Sequence, residues 1–393
     1  MACGCIQLLE LYLMHSKKVL LVTETPPKTP NGFGVTLQCM FKNTPHDVLY
    51  TDAAFSDHVE EGYTLAQVPY HKSKIYLLKF ISGKIPEWRK RYSKKWLIKN
   101  VSDEHSMVYA FVYSTDCLNY ASWVSQKKNI PLVVHLADHS DLFEKSPITN
   151  ILRECSKLIC ITKDMKSKYE STLGRKDIKV LHNGAEDQCF NIPPPHLPPF
   201  SKNNSFALCF LGGLFSHLHG DCIEDIFESV SQIRKYRPEL EFHIYGQLQP
   251  SNFLSDQLKR SGVTYHGIVM PLEKKYEIMQ RAHCFVVPSS FNPNHHKDYR
   301  YSFPTKLPEL LASGRPILSY GPRDTATNRF LETNRLGIRI HQRSVNKLVW
   351  ELSSIIDHYE ENLQKAANAT SLIETSYSAN VVRQKLTEIL KIV

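Results

Sequence analysis

Five prolines crowd into the eight residues Ile192-Pro193-Pro194-Pro195-His196-Leu197-Pro198-Pro199, and they set the plan of the chain. Proline lacks the amide N–H and locks φ, so this segment is neither helix nor central strand. It reads as a linker. On each side of it the same pattern runs. Short apolar stretches stand at Val19–Thr23, Met107–Tyr113, Leu132–Leu136, Lys157–Thr162 and Ile178–Leu181, with polar, helix-length segments at Thr115–Lys128 and Lys163–Leu173. After the linker, strands are expected at Phe206–Leu211, Leu240–Tyr245, Val263–Tyr265, His283–Val287 and Pro316–Ser319. Helices are expected at Asp221–Tyr236, Leu254–Arg260, Leu272–Arg281 and Lys306–Ser313. Such alternation means parallel strands with crossover helices. The expected fold class is α/β, with two Rossmann-like units in series.

A chain of 393 residues also exceeds what one core ordinarily organises. The expected boundaries are an N-terminal extension at 1–16, a first domain at 17–190, the proline-rich linker at 191–203, a second domain at 204–358 and closing helices at 359–393. In open parallel sheets ligands bind beyond the carboxyl ends of the strands. Two such sheets facing each other would place the site in a central cleft.

Composition narrows the classes. Hydrophobic residues make 42% of the chain and charged residues 22%, which excludes a wholly disordered protein. No apolar run reaches the roughly 18–20 residues of a membrane-spanning helix. The first fourteen residues carry Glu10 and no basic n-region, which argues against a secretory signal. Ten cysteines are scattered without a Cys-x-x-Cys, the pattern of buried free thiols in a reducing compartment. A cytoplasmic location is expected. A net charge of +9 permits an acidic partner, whether a phosphate-rich ligand, an anionic membrane or nucleic acid, without choosing among them.

The most specific run is Phe303 to Leu318. A loop enters a helix, Gly314 stops it and a strand follows. A helix start offers unpaired N–H groups and partial positive charge, and Lys306 adds a full one, which suits a diphosphate. Glu309, one turn in, is placed for two hydroxyls such as those of a ribose. A Lys and a Glu decorating an exposed first turn would look the same.

This run follows others in a telling order: Leu158-Ile159-Cys160-Ile161-Thr162-Lys163-Asp164-Met165, Lys179-Val180-Leu181-His182-Asn183-Gly184-Ala185-Glu186, Phe210-Leu211-Gly212-Gly213, Phe242-His243-Ile244-Tyr245-Gly246 and Tyr265-His266-Gly267. With them the chain resembles the retaining family-four glycosyltransferases of the GT-B fold, from about Lys18 to its end. The resemblance implies a metal-independent transferase acting on a nucleotide-sugar, usually UDP- or GDP-linked, with no cofactor. It implies that Glu309 binds the donor ribose, that Pro304, Thr305 and Lys306 lie over the diphosphate, that Gly212 and Gly213 approach the phosphates and that Gly246 lies near the base. It also implies that one closing helix crosses back to the first domain. Two departures stand out. The first of two Glu residues usual in the motif is Tyr301 here, and an Arg and a Lys that often clamp the diphosphate are Gly213 and His219. The compensating cations expected are Lys306, then Arg300, then His219.

The first domain is expected to serve the acceptor. Gly32 and Gly34 in the loop after the first strand allow close backbone approach to acceptor or phosphate, although a plain turn explains them equally well. Relatives carry a His or Asp against the transferred sugar where this chain has His135 and Asp138. A satisfied core histidine is the other reading of His135. No Asp-x-Asp occurs, and His295-His296 beside Asp298 lacks a distant partner set, so no metal is expected.

Lys84 to Asn100 carries seven basic residues against Glu87. Trp88, Tyr92 and Trp96 recur every four residues, flanked by Arg89, Lys90, Arg91, Lys94 and Lys95. A helix lying in an anionic membrane interface has this design and would suit a lipid-linked acceptor. A surface helix packing its aromatics on the core has it too, and single-stranded nucleic acid stays open as a less favoured partner. Two further functional readings remain: a hydrolysing sugar-nucleotide epimerase, and a GT-B protein that binds without transferring.

Overall fold

The computed structural model describes residues 18–29, 31–51, 65–68, 93–97, 99, 101–193, 205–248, 256, 258–260, 262–271 and 273–391. The expected extension at 1–16, linker residues 194–203 and Leu254, Ser255 and Gln257 of the expected helix at Leu254–Arg260 lie outside them. The chain divides into two compact units. One is Met1–Thr29 with Phe33–Leu181 and Lys385–Val393, and the other is Pro30–Gly32 with His182–Gln384.

The first unit is built on β1 (Lys18–Thr23), α1 (Gly32–Phe41), β2 (His46–Tyr50), β3 (Leu65–Gln67), β4 (His105–Val112), α2 (Thr115–Lys128), β5 (Leu132–Leu136), α3 (Ile148–Glu154), β6 (Lys157–Cys160), α4 (Lys163–Leu173) and β7 (Lys179–Val180). All seven strands are parallel, in the order β3-β2-β1-β4-β5-β6-β7. The chain builds outward from β1 and returns beside it as β4, so the direction of winding reverses there. β5 is buried along its whole length, as a strand covered on both faces must be. Local chemistry sets the helix ends. The Ser114 hydroxyl accepts from Cys117 N–H at the start of α2, and Asn129 ends it in the left-handed region. Thr162 and Gly174 do the same for α4.

The second unit holds β8 (Phe206–Leu211), α5 (Ser216–Ile233), β9 (Leu240–Tyr245), β10 (Val263–Gly267), α6 (Lys274–Arg281), β11 (Cys284–Pro288), α7 (His296–Tyr301), α8 (Leu307–Ala312), β12 (Ile317–Tyr320), α9 (Ala326–Thr333), β13 (Ile338–Ile340), α10 (Val345–Asp357), α11 (Tyr359–Tyr377) and the start of α12 (Ala379–Lys391). Its six parallel strands run β10-β9-β8-β11-β12-β13, with the reversal between β8 and β11. In β9, Leu240, Phe242 and Ile244 are buried while Glu241, His243 and Tyr245 are partly exposed, the period of two that puts one face on the core. Phe242 meets Phe227 of α5 edge to face at 5.7 Å.

The main division of the chain falls at Leu181/His182, ahead of the prolines, because residues 182–193 pack on the second unit. His182 lies against Phe303 and Tyr377, with ring centroids at 4.9 and 5.4 Å. Ala185 bridges to Ser378. Arg315, 1% exposed, donates to the carbonyls of Ile192 at 2.9 Å and Pro193 at 2.6 Å. The eight described cysteines are all free and buried.

Candidate active site

The site is best built from the strand ends of the second unit. β8 passes into Gly212 at φ 145°, and β9 into Gly246 at φ 133°, values that favour glycine. Gly212 N–H donates to Tyr245 O at 2.7 Å, and Gly246 N–H to Gly267 O at 2.8 Å. A Cβ on Gly246 would meet Gly212 O at 2.1 Å, and one on Gly212 would meet Lys306 Nζ at 1.5 Å. Neither position admits a side chain. The backbone at the carboxyl ends of β8 and β9 is therefore closely packed, Gly246 on Gly212 and Gly212 on Lys306, beside the reversal point where open α/β sheets bind ligands. Next to Gly246 the rings of Tyr245 and His266 stack at 4.3 Å and 9°.

Lys306 caps α8. Its Nζ lies against Gly212 and 4.8 Å from the centre of the Phe210 ring. The residue is partly exposed, yet burial alone pushes its pKa down to about 8, with no carboxylate contributing. An ammonium so placed is short of solvation and of a counter-ion, and an anion would supply both. The ring beneath it gives only partial compensation.

Glu309 is 6% exposed, on α8. Its Oε1 accepts a hydrogen bond from Lys275 Nζ at 2.5 Å, and Lys275 stands on α6. Burial works against the Lys275 charge, but the Glu309 carboxylate outweighs it and holds the ammonium above the ordinary lysine range. Oε2 of Glu309 has no hydrogen-bond partner among the described residues. Sequence reasoning missed Lys275, since a lysine among Lys274, Lys275 and Tyr276 on a polar helix carries no signal of its partner.

The other expected donor residues are spread more widely. Pro304 and Thr305 lie in the turn before Lys306, where Pro304 O accepts from Leu307 N–H at 3.0 Å. Gly213 sits under the Phe215 ring, 2.5 Å from where a Cβ would be. Three residues on, α5 begins at Ser216, and its first turn carries the partial charge of an 18-residue helix. His219 lies in that turn, its Nδ1 accepting from Phe215 N–H at 3.4 Å. Arg300 is half exposed, reaches Asp324 at 4.0 Å and lies over the Tyr301 ring. Of the three cations named for the diphosphate, Lys306 stands at the strand ends without a carboxylate partner among the described residues, while Arg300 has Asp324.

In the first unit, His135 is fully buried. Its Nδ1 meets Tyr109 OH at 2.7 Å and its Nε2 meets Leu181 O at 3.1 Å, with Phe111 edge-on at 5.0 Å. Both ring nitrogens are engaged within the core, so the reading of His135 as a sugar contact gives way to that of a satisfied core histidine. Asp138 is partly exposed beyond the end of β5 and accepts from His139 N–H at 2.9 Å. Gly32 begins α1. Gly34 abuts Thr29, where a Cβ would lie 2.7 Å from the carbonyl oxygen, so it closes its own loop rather than baring backbone to a ligand. Glu24, just past β1, accepts from the amides of Ser114 at 2.7 Å and Tyr113 at 3.2 Å. Burial raises its carboxyl to about 7 against those bonds. His139, Asp141 and Glu144 bring ligand-type atoms within 4.8 Å of one another, but Lys168 Nζ lies 3.1 Å from the same Glu144 oxygen, putting an ammonium beside the group.

Of the basic aromatic stretch, Trp88, Arg89, Lys90, Arg91 and Tyr92 lie outside the described residues. Residues 93–97 are helical, with Lys95 exposed and Trp96 half-buried. Lys94 Nζ stands 5.9 Å from the Trp123 ring of α2. Among the described residues no helix is long and apolar enough to cross a membrane.

Residues 205–358, which hold Gly212, Gly246, Lys275, Lys306 and Glu309, match the family model of the group 1 glycosyl transferases. Solved structures resemble the chain along nearly its whole length. HepE of Anabaena, in complex with UDP-glucose, superposes with a TM-score of 0.70 at 15% identity, covering 96% of this chain and 100% of that one. WaaG, a glycosyltransferase involved in lipopolysaccharide biosynthesis, gives 0.65 at 14% identity over 95% and 99%. Trehalose-6-phosphate synthase OtsA gives 0.69 at 10% identity over 96% and 100%. At such identities the likeness is one of fold. By sequence, no curated protein matches significantly. Residues 205–358 thus match a group 1 glycosyl transferase domain, and the chain has the GT-B fold.

Proposed function

We propose that the chain moves a glycosyl group from a nucleoside-diphosphate sugar, UDP- or GDP-linked, to a hydroxyl of a glycan or lipid-linked acceptor, with retention and without a metal ion. The observation that carries this reading is Lys306. A partly exposed ammonium with no carboxylate partner among the described residues, held against Gly212 at the strand ends, is prepared for a diphosphate. It supplies the positive charge that a metal ion supplies elsewhere. Glycine at 212 lets the Lys306 ammonium lie against the end of β8, and the first turn of α5 favours the charge of the phosphates. Glu309 takes the ribose, and the base lies toward Gly246 and the Tyr245–His266 stack.

In the reaction the bond from the anomeric carbon to the phosphate oxygen breaks. A bond from the acceptor oxygen forms on the same face, and the acceptor proton passes to the departing phosphate oxygen. The nucleoside diphosphate leaves with that charge stabilised by Lys306. The basic aromatic stretch at 84–100 supports an acceptor presented at an anionic membrane surface on its cytoplasmic side.

Release of nucleoside diphosphate from UDP- and GDP-sugars, followed with EDTA present, tests this. Wild type is expected to turn over one of them in EDTA, and Lys306→Met to lose about a hundredfold or more. Activity that EDTA abolishes and magnesium or manganese restores would refute the metal-free mechanism. Release of the sugar as the opposite anomer, read by NMR, would refute retention.

A further inference from the structure

We infer that Lys275 is the positioning residue of the nucleoside subsite: by holding Oε1 of Glu309 it leaves Oε2 as the one oxygen that reads a ribose hydroxyl. The inference rests on the donor reading of Glu309 given above. A glutamate that reads a ribose from a helix start ordinarily offers two oxygens on a carboxylate free to turn. Here the carboxylate cannot turn freely. Lys275 reaches it from another helix, α6, and bonds Oε1 at 2.5 Å, with the two side chains 13% and 8% exposed.

The surroundings keep Lys275 in place. The Tyr276 ring stands 5.0 Å from its Nζ. The 3-10 turn Asp187–Cys189 brings the buried Cys189 thiol near both charges, where burial first and Glu309 next push that thiol up. Glu186, from the same turn, adds its charge to the field around Tyr276. In this enclosure an unpaired Glu309 carboxylate would lack solvation. Lys275 is therefore what orients Glu309 before the donor arrives, and the site meets the ribose already organised. With Glu309 as its partner Lys275 is not free for the phosphates, which leaves them to Lys306.

Ribose discrimination is the readout, because a structural ion pair would not set it. Calorimetric titration of the full chain with UDP and GDP identifies the tighter nucleotide, and its 2′-deoxy counterpart is then compared. Wild type should prefer the ribonucleotide by about tenfold or more, as expected for a hydrogen bond to a charged group. Glu309→Gln and Lys275→Met should each bring the ratio close to one, and Lys275→Arg should restore most of it. The double variant Glu309→Gln/Lys275→Met removes the buried uncompensated charge. It should melt above Lys275→Met and discriminate no better than either single variant. If Glu309→Gln loses the preference while folded Lys275→Met keeps that of wild type, Lys275 is only structural and the inference falls, with the donor reading intact. If wild type binds neither nucleotide, or binds without any ribose preference, the assignment of Glu309 fails first and takes this inference with it.

Discussion

Lys306 should give the donor site its pH dependence. Burial pushes the pKa of its ammonium down to about 8, against 10.5 for an ordinary lysine. Between those values the unfolded chain binds the extra proton, so this group makes stability rise with pH across the window from about 8 to 10.5. Binding goes the other way. A diphosphate binds the charged form, so its affinity should fall as pH climbs through 8, by up to about tenfold per pH unit above it. Titrations of UDP or GDP from pH 6.5 to 9.5 check this, with Lys306→Met expected to be weak and flat. A wild-type profile that stays level through pH 9 once the phosphate's own ionisation is corrected would remove Lys306 from the phosphate site. His135 makes the contrast at the same scale. Its burial and its two core partners could not be read from a His at a strand end, because Tyr109 and the Leu181 carbonyl come from strands and loops 26 and 46 residues away.

At the scale of elements, the glycines after β8 and β9 join the two strand ends. Gly246→Ala would place a Cβ 2.1 Å from Gly212 O at a φ of 133°, and such strain costs about 1–3 kcal/mol. The second unit should melt roughly 4–8 °C lower, with weaker nucleotide binding because Gly212 moves. A variant that melts and binds like wild type would contradict the close approach. Several elements were legible beforehand: α2, α4, β5, β8 and β9 fall where capping residues and apolar runs place them. Others were not. β2, His-Asp-Val-Leu-Tyr, begins with polar residues whose burial depends on distant partners. Asp47 takes Lys18 at 2.8 Å and His105 at 2.9 Å. β13 carries Arg339 between two isoleucines, and one guanidinium nitrogen of that arginine donates to the carbonyls of Leu336 and Gly337. α5 starts five residues before the expected Asp221, since Gly220 and two histidines obscure a first turn that the strand end determines.

For the whole molecule, the proline cluster gave the two-unit plan, and the resemblance gave the order of the motifs along the second unit. What neither gave is the point of division, because residues 182–193 look like the end of the first domain until Arg315, Phe303 and Tyr377 are seen to hold them. Nor did they give the pairing of Glu309 with Lys275. Gly212, Gly246, Lys306 and Glu309, the donor residues proposed above, stand at strand ends and a helix start that local sequence already marked. Those set by packing between elements were hidden. The central claim is that the second unit binds a nucleoside diphosphate through Lys306 with no metal ion. The most direct test is calorimetric titration of the full chain with UDP and GDP in EDTA, beside Lys306→Met. The account predicts one nucleotide bound per chain, for one of the two bases, and affinity lower by about a hundredfold in the variant. Binding seen only when a divalent metal is added, or equal binding by wild type and Lys306→Met, would contradict it.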